Sequence, residues 1–488
     1  MTQIDHVFVL MLENRSFDHF FGLSGRAEIP RPTEPDFKPG ATDRSAADMP
    51  HEFEDVRAQV NGGAMNGFSH DSKLAFSPID IPIVTQLAAE FVLFDNWHSS
   101  LPGPTWPNRF FVHAASSGGL AASPKALDNL TAVTLPSAAF TFQHGTIFDR
   151  LSAAGKKWRI YHGDVHPQVL ALEGMVSKSF NSDLFRPIYP AAHASDFAAD
   201  LNAGGYDVAY TFIEPNYAIE LFSQFVRGDS QHPRGLVSSG EGLIKFVYET
   251  IRNSSVWLNS IFLIVWDEHG GFFDHVPPPP AVPPGDAATN RERAGPDSPE
   301  FGFDSYGVRV PALLVSPWVS KGGLGSKLFP TSTFDHSSVI ASLRAHFSLG
   351  GPITERDATA PSWTGAINTE PRTGLDAGPS VLAAVQHTAA ALTAVISIEE
   401  PLGHGAVSAP DPFIEGVALI ALDLDRYVSQ QKATATLATR EFQEQVLTKS
   451  LRIAARAAGA DFNLQMLAYI KQVDAKVLAH KEDLKGKP

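Results

Sequence analysis

Ser260–Trp266 reads SIFLIVW and runs directly into Asp267-Glu268-His269-Gly270-Gly271-Phe272-Phe273-Asp274-His275. An unbroken apolar run of this length, rich in Ile, Val and aromatic residues, is the pattern of a strand buried on both faces. In open α/β sheets, ligands bind beyond the carboxyl ends of such strands. Asp267 and Glu268 therefore stand where a sheet presents chemistry. The two glycines after His269 give the backbone room to turn sharply or to approach a ligand.

Working outward, the same pattern recurs. Val7–Leu12 (VFVLML) is an apolar run that ends in Glu13-Asn14-Arg15-Ser16-Phe17-Asp18-His19. Further strand candidates are Phe91–Phe94, Trp158–Tyr161, Val208–Ile213 and Arg309–Ser316. Helical patterns lie between them at Ile83–Ala89, Thr146–Ala154, Glu241–Arg252 and from Phe334 to about His346. Strands alternating with helices predict an α/β fold with a mostly parallel central sheet flanked by helices. Residues Pro30–Gly63 are rich in Pro, Asp, Glu and Gly without lasting periodicity, which predicts a long functional loop. It contains His51, by itself an ordinary loop histidine, as is His70 further on. From Gly374 onward strand patterns stop. Val381–Ile396, Phe413–Tyr427, Arg440–Ala458 and Asn463–His480 read as helices, so the division is a catalytic domain, 1–373, and a mainly helical region, 374–488.

Bulk composition narrows the function. The chain has 488 residues, 43% hydrophobic and 19% charged, enough for a large core and too little charge for wholesale disorder. The net charge of -15 opposes nucleic-acid binding, whose footprint is basic. With no cysteine, disulfides and thiolate metal sites are excluded. No stretch reaches the ~18 apolar residues needed to span a bilayer. The sequence from Met1 has no basic n-region, so the expectation is a soluble, cytoplasmic protein as written, with leaderless export or a processed form left open. The oligomeric state is not legible.

Glu13, Asn14, Asp267 and Glu268, gathered from two strand ends, are four oxygen donors without sulfur. They suit one hard divalent cation, Ca²⁺, Mg²⁺ or Mn²⁺, and Zn²⁺ stays open because carboxylates also ligate it. Between the two runs lies Gly103-Pro104-Thr105-Trp106-Pro107-Asn108-Arg109-Phe110-Phe111, with Pro107 suited to the first turn of a helix reaching about Ala115. Thr105 then sits at or beside the N-cap. A threonine there either caps the helix or presents its hydroxyl to an anion held by the helix N-terminus; one geometry serves both.

These residues resemble a known family. ENRSFDHFFG (Glu13–Gly22), GPTWPNRFF (Gly103–Phe111), SQHP (Ser230–Pro233) and WDEHGGFFDHVPPP (Trp266–Pro279) are similar to motifs of the phosphoesterase family of bacterial phospholipases C and acid phosphatases. That family also holds the plant non-specific phospholipases C, and its fold is alkaline-phosphatase-like. MNGF, YTFIEPNY, YGVRVPALLVSPWVSKG and FDHSS resemble the plant-like branch most. The likeness runs in order from Ile4 to about Gly350. It implies that Glu13, Asn14, Asp267 and Glu268 hold the metal and that Thr105 is a nucleophile forming a phosphothreonine. It further implies that His232 protonates the leaving group or orients the phosphate, that Asn108 and His51 bind phosphate, and that His336 and His275 neighbour the site. The implied substrate is a phospholipid or another phosphate ester, with peripheral membrane contact open. The competing activities are phospholipase C and broad acid phosphatase, and an inactive binding module is disfavoured because every expected ligand type is retained. The pairs Phe20-Phe21, Phe110-Phe111 and Phe272-Phe273 fit either a lipid-facing rim or core packing. The last ~110 residues match no motif of the family.

Overall fold

The computed structural model describes residues 4–45, 48–164, 167–189, 196–217, 228–294 and 300–385. Nine strands lie among them: β1 His6–Leu12, β2 Lys38–Pro39, β3 Leu74–Ala75, β4 Val92–Phe94, β5 Trp158–His162, β6 Phe185–Pro187, β7 Tyr210–Glu214, β8 Ser260–Trp266 and β9 Ala312–Val315. Seven form one sheet in the order β4-β9-β8-β1-β7-β5-β6, and β2 and β3 make a small separate pair. In the large sheet only β9 runs antiparallel to its neighbours, β4 and β8. The other pairings are parallel. The expected α/β architecture, with a mostly parallel sheet, is therefore present.

Every residue of β1 and β8 is buried. Each large apolar side chain in these runs contributes about 1.5–3 kcal/mol by leaving water. Side-chain alternation assigns the covering layers. Val7 pairs with Tyr210 and Val9 with Phe212, so Tyr210 and Phe212 share one face of the sheet; Phe8 points to the other. Phe212 meets His113 of the helix Thr105–Ala114. Phe8 meets Phe197 of the helix Asp196–Asn202, which packs with Val237–Arg252. Helices therefore cover both faces.

β1 lies at the centre of the sheet, between β7 and β8. Chain connections leave it in both directions, and such a switch point opens a crevice at the strands' carboxyl ends. The β1–β8 register sets Leu12 opposite Trp266, so Glu13 and Asp267 emerge side by side.

Four local expectations change. The Pro30–Gly63 loop ends in a helix, Phe53–Val60, started by a capping box between Glu52 and Asp55. The helix after the GPTWPN motif has Pro104 as its N-cap, so Thr105 is the first helical residue and does not cap it. The paired phenylalanines are all core: none of the six is more than 4% exposed, which leaves packing as their role. Lastly, the described start of the supposed helix Val381–Ile396 is not helical. Residues 378–383 instead strap along Val237–Arg252: Tyr248 donates to Pro379 O, Arg252 to Gly378 O and Lys245 to Leu382 O. The remainder of the proposed helical region lies outside the described residues. Among the described residues no helix is long and apolar enough to cross a membrane.

Candidate active site

The β1 and β8 ends are tied together by backbone and side chain. Asn14 N donates to Asp267 Oδ1 at 2.9 Å, Asn14 Nδ2 donates to Glu268 Oε1, and Arg15 N donates to Glu268 O at 2.9 Å. This closeness has a conformational cost. Asn14 is held at φ 57°, a left-handed conformation that non-glycine residues seldom adopt and that clusters at functional sites. Gly270, at φ 63°, passes so near that a Cβ there would lie 2.3 Å from Asn14 O. A Cβ on Gly271 would meet Pro50 O at 2.6 Å, and that approach brings His51 against the same cluster. The paired glycines thus have the role their place after the strand suggested.

Charge is concentrated here. Glu13 is 4% exposed and Asp267 and Glu268 are wholly buried. Arg109 answers Asp267, its Nε 3.0 Å from Oδ2, and also donates to Leu12 O at 3.0 Å and Tyr217 Oη at 2.6 Å. Burial pushes the Glu13 and Asp267 carboxyls above their usual range, and the pull of Arg109 offsets this only in part. Burial pushes Glu268 the same way, but His51 and His269 outweigh it and hold that carboxyl down. Burial likewise opposes charge on His51, yet Glu268 and Asp48 raise it to about 9. Glu13 Oε2 and Asn14 Oδ1 are buried with no hydrogen-bond partner among the described residues. Leaving a buried acceptor unsatisfied is costly. Three carboxylates and an amide are the donor types an oxygen-seeking divalent cation binds, and Glu13 Oε2 and Asn14 Oδ1 are open to one, while Asp267 Oδ2 is taken by Arg109, so the donor set fits such an ion in chemistry.

Glu13 also lines a cavity of about 460 Å³ that holds Thr105, Trp106, His51 and His232. Thr105 is half-buried, and its hydroxyl makes no hydrogen bond to a described residue. It stands on the first turn of a ten-residue helix, where free amides and the partial positive charge favour an anion. The Arg234 N–H lies 3.3 Å from His232 Nδ1, and Asp48 Oδ2 lies 3.5 Å from its Nε2. His51 Nδ1 donates to Met49 O at 2.6 Å, and its Nε2 faces Glu268 Oε1 at 3.9 Å.

Other expected residues sit behind the cavity. Asn108 is buried, with its amide spent on the loop before the helix: it accepts from Leu101 N and donates to Gly103 O and Pro104 O. It therefore fixes the backbone that presents Thr105. His336 Nε2 donates to Asp267 O at 2.6 Å and its Nδ1 accepts from Trp97 at 3.4 Å; burial pushes it down to about 4. His275 belongs to a separate cluster with Asp18 and Asp274. Those three could in geometry hold an ion, but Arg309 already pairs with both carboxylates, at 3.1 and 2.9 Å.

Sequence reading passed over Asp48, Arg109 and Tyr217 as members of the site. Arg109 was legible only as a neighbour of Asn108. That it reaches Asp267, 158 positions away, is a tertiary fact.

Comparison with known proteins matches these features. The model of the phosphoesterase family covers residues 4–350. Non-specific phospholipase C1 of Arabidopsis thaliana is 33% identical over 73% of this chain and 69% of its own length. Phospholipase C B of Mycobacterium tuberculosis is 28% identical over 75% of this chain and 78% of its own. Among solved structures, a protein in the alkaline phosphatase superfamily from Vibrio parahaemolyticus superposes over 73% of this chain and 70% of its own, with 14% identity and a TM-score of 0.34. The strand-end carboxylates, the helix-borne threonine and the match over residues 4–350 agree: the chain belongs to the phosphoesterase family and is a hydrolase of phosphoester bonds.

Proposed function

We propose that this hydrolase is a phospholipase C, cleaving phospholipids such as phosphatidylcholine to diacylglycerol and a phosphorylated head group. One observation carries the reading. The Thr105 hydroxyl, set on a helix N-terminus and without a hydrogen bond to any described residue, shares its cavity with Glu13 and with two histidines.

Glu13, Asn14, Asp267 and Glu268 would hold one divalent cation. Bound there, such an ion neutralises phosphate oxygens and lowers the pKa of an adjacent hydroxyl. The chain's own residues do the rest. First-turn amides of the helix Thr105–Ala114 and His51 on the cavity wall draw the phosphate in. Asn108 holds the loop so that Thr105 Oγ1 meets phosphorus in line. The Oγ1–P bond forms, the Oγ1 proton passing to solvent, as the bond from phosphorus to the diacylglycerol oxygen breaks. His232, on the cavity wall and acting as the imidazolium, gives its Nε2 proton to the departing alkoxide and is left as the neutral imidazole. Water then attacks the phosphothreonine, releasing the phosphorylated head group and restoring Thr105. His336, behind Asp267, acts by holding that residue's backbone.

The deciding experiment is product analysis on phosphatidylcholine beside p-nitrophenyl phosphate. Release of phosphocholine with diacylglycerol is expected. Cleavage of the monoester alone would select an acid phosphatase and overturn the reading.

A further inference from the structure

The segment Ser230-Gln231-His232 holds a conformation that its residues do not favour. Gln231 sits at φ 67°, in the left-handed region that non-glycine residues seldom adopt, and it is wholly buried. Such a conformation persists where the surroundings over-determine it, and it clusters at functional sites. Here three separate parts of the chain hold it. Gln231 Oε1 accepts from Trp266 Nε1 at 2.8 Å, Gln231 Nε2 donates to Val237 O at 3.1 Å, and Gln231 O accepts from Arg15 Nε at 2.8 Å. Chemistry settles which way the amide points, since an indole N–H only donates and a backbone carbonyl only accepts. Gly240 makes room for the side chain: a Cβ there would lie 2.1 Å from Gln231 Cγ.

The identity of the partners matters as much as the bonds. Trp266 ends β8 and directly precedes Asp267, and Arg15 directly follows Asn14. Glu13 N also donates to Ser230 O at 2.9 Å, and His232 N donates to Ser230 Oγ at 3.3 Å. Both strand ends that carry the carboxylates are therefore bonded to the two residues before His232. A general acid works only within hydrogen-bond reach of the oxygen it protonates, so its place relative to the bound phosphate has to be fixed. Packing alone asks for no such arrangement, because glycine adopts the same φ without strain.

Resting on the phospholipase reading, we infer that Gln231 is the positioning residue for His232, holding that leaving-group acid in register with the strand-end carboxylates. Gln231 acts through His232 and touches no substrate atom.

The test compares kcat/KM on two soluble substrates that share phosphocholine. Monomeric dihexanoylphosphatidylcholine expels an alkoxide that needs a proton, whereas p-nitrophenyl phosphocholine expels a phenolate that does not. His232→Ala should lower the ratio of the first to the second about a hundredfold. Gln231→Met, which keeps the length and removes the amide, should lower it at least about tenfold and add nothing further in the His232→Ala background. A merely structural loss lowers both substrates alike, so an unchanged ratio in Gln231→Met overturns the inference. Should that variant not fold, Trp266→Phe removes only the indole donor and should shift the ratio the same way; no shift there overturns the inference too. A ratio unchanged even in His232→Ala removes His232 as the acid, and the positioning role with it. If the wild type cleaves no phosphatidylcholine, the phospholipase reading fails, and the same ratio taken between glycerol phosphate and p-nitrophenyl phosphate decides the role of Gln231 separately.

Discussion

Arg309 offers the sharpest test of how the interior balances its charges. It is 6% exposed and faces two wholly buried carboxylates. Its Nε donates to Asp274 Oδ1 at 2.9 Å, and its Nη2 donates to Asp18 Oδ1 at 3.1 Å and Asp274 Oδ2 at 3.2 Å. Its Nη1 donates to Asp95 O, and the guanidinium lies over Phe17, 4.6 Å from the ring centre. Arg309→Met keeps much of the volume and removes the charge. Among the described residues the two buried carboxylates then keep backbone amides and one basic side chain, His275, and stripping one side of a buried pair costs about 3–5 kcal/mol. Equilibrium unfolding in urea, followed by tryptophan fluorescence, should read that loss. Burial already raises Asp274, against the pull of Arg309, and removing Arg309 raises it further. A raised folded pKa means stability present below the unfolded value, about 4, and lost as pH rises through the folded one. The deficit of Arg309→Met is therefore largest at neutral pH and shrinks as pH is lowered toward about 4. Adding Asp18→Asn and Asp274→Asn should recover part of it, since no uncompensated charge remains. A triple variant as unstable as Arg309→Met at neutral pH would refute the reasoning and make the loss one of packing.

Thr105→Ala should cut turnover at least about a thousandfold while shifting stability by less than about 0.5 kcal/mol, because Pro104 occupies the N-cap. Near wild-type cleavage by the folded variant would remove Thr105 as nucleophile. Asp267→Ala should abolish stoichiometric divalent metal in elemental analysis of the dialysed protein; unchanged content would count against the four-residue ligand set. Glu241 accepts from Ile83 N at 2.7 Å and Val84 N at 3.1 Å, and burial pushes it up to about 8. Its stabilising contribution is complete below about pH 4.3, the ordinary glutamate value, and is lost as pH rises toward 8. Wild type should thus lose urea resistance relative to Glu241→Gln across that window, and a pH-independent difference would contradict the assignment.

Much of this was written in single stretches of chain. SIFLIVW and VFVLML state their burial by composition, and both appear as strands at the expected places because a run apolar at every position has only a two-faced interior to occupy. The carboxylates after them were legible for the same reason. Short strands were not: Phe185–Pro187 has three residues and no pattern to read, and its pairing depends wholly on β5. The helix Phe53–Val60 was hidden in a segment dominated by turn residues, although Glu52 and Asp55 were present as a capping signal.

By itself, the sequence determined the α/β class, the two strand ends that carry Glu13, Asn14, Asp267 and Glu268, and the motif that holds Thr105. Only the tertiary structure decided what those groups face. Arg109 reaches Asp267, Asp48 lies beside His232, His336 props a backbone carbonyl, and Arg309 neutralises a cluster that composition alone would offer to a metal. The physical reason is range. Burial and periodicity are local properties that each residue carries with it, whereas the charge on a buried group is set by whatever the fold brings within a few ångströms.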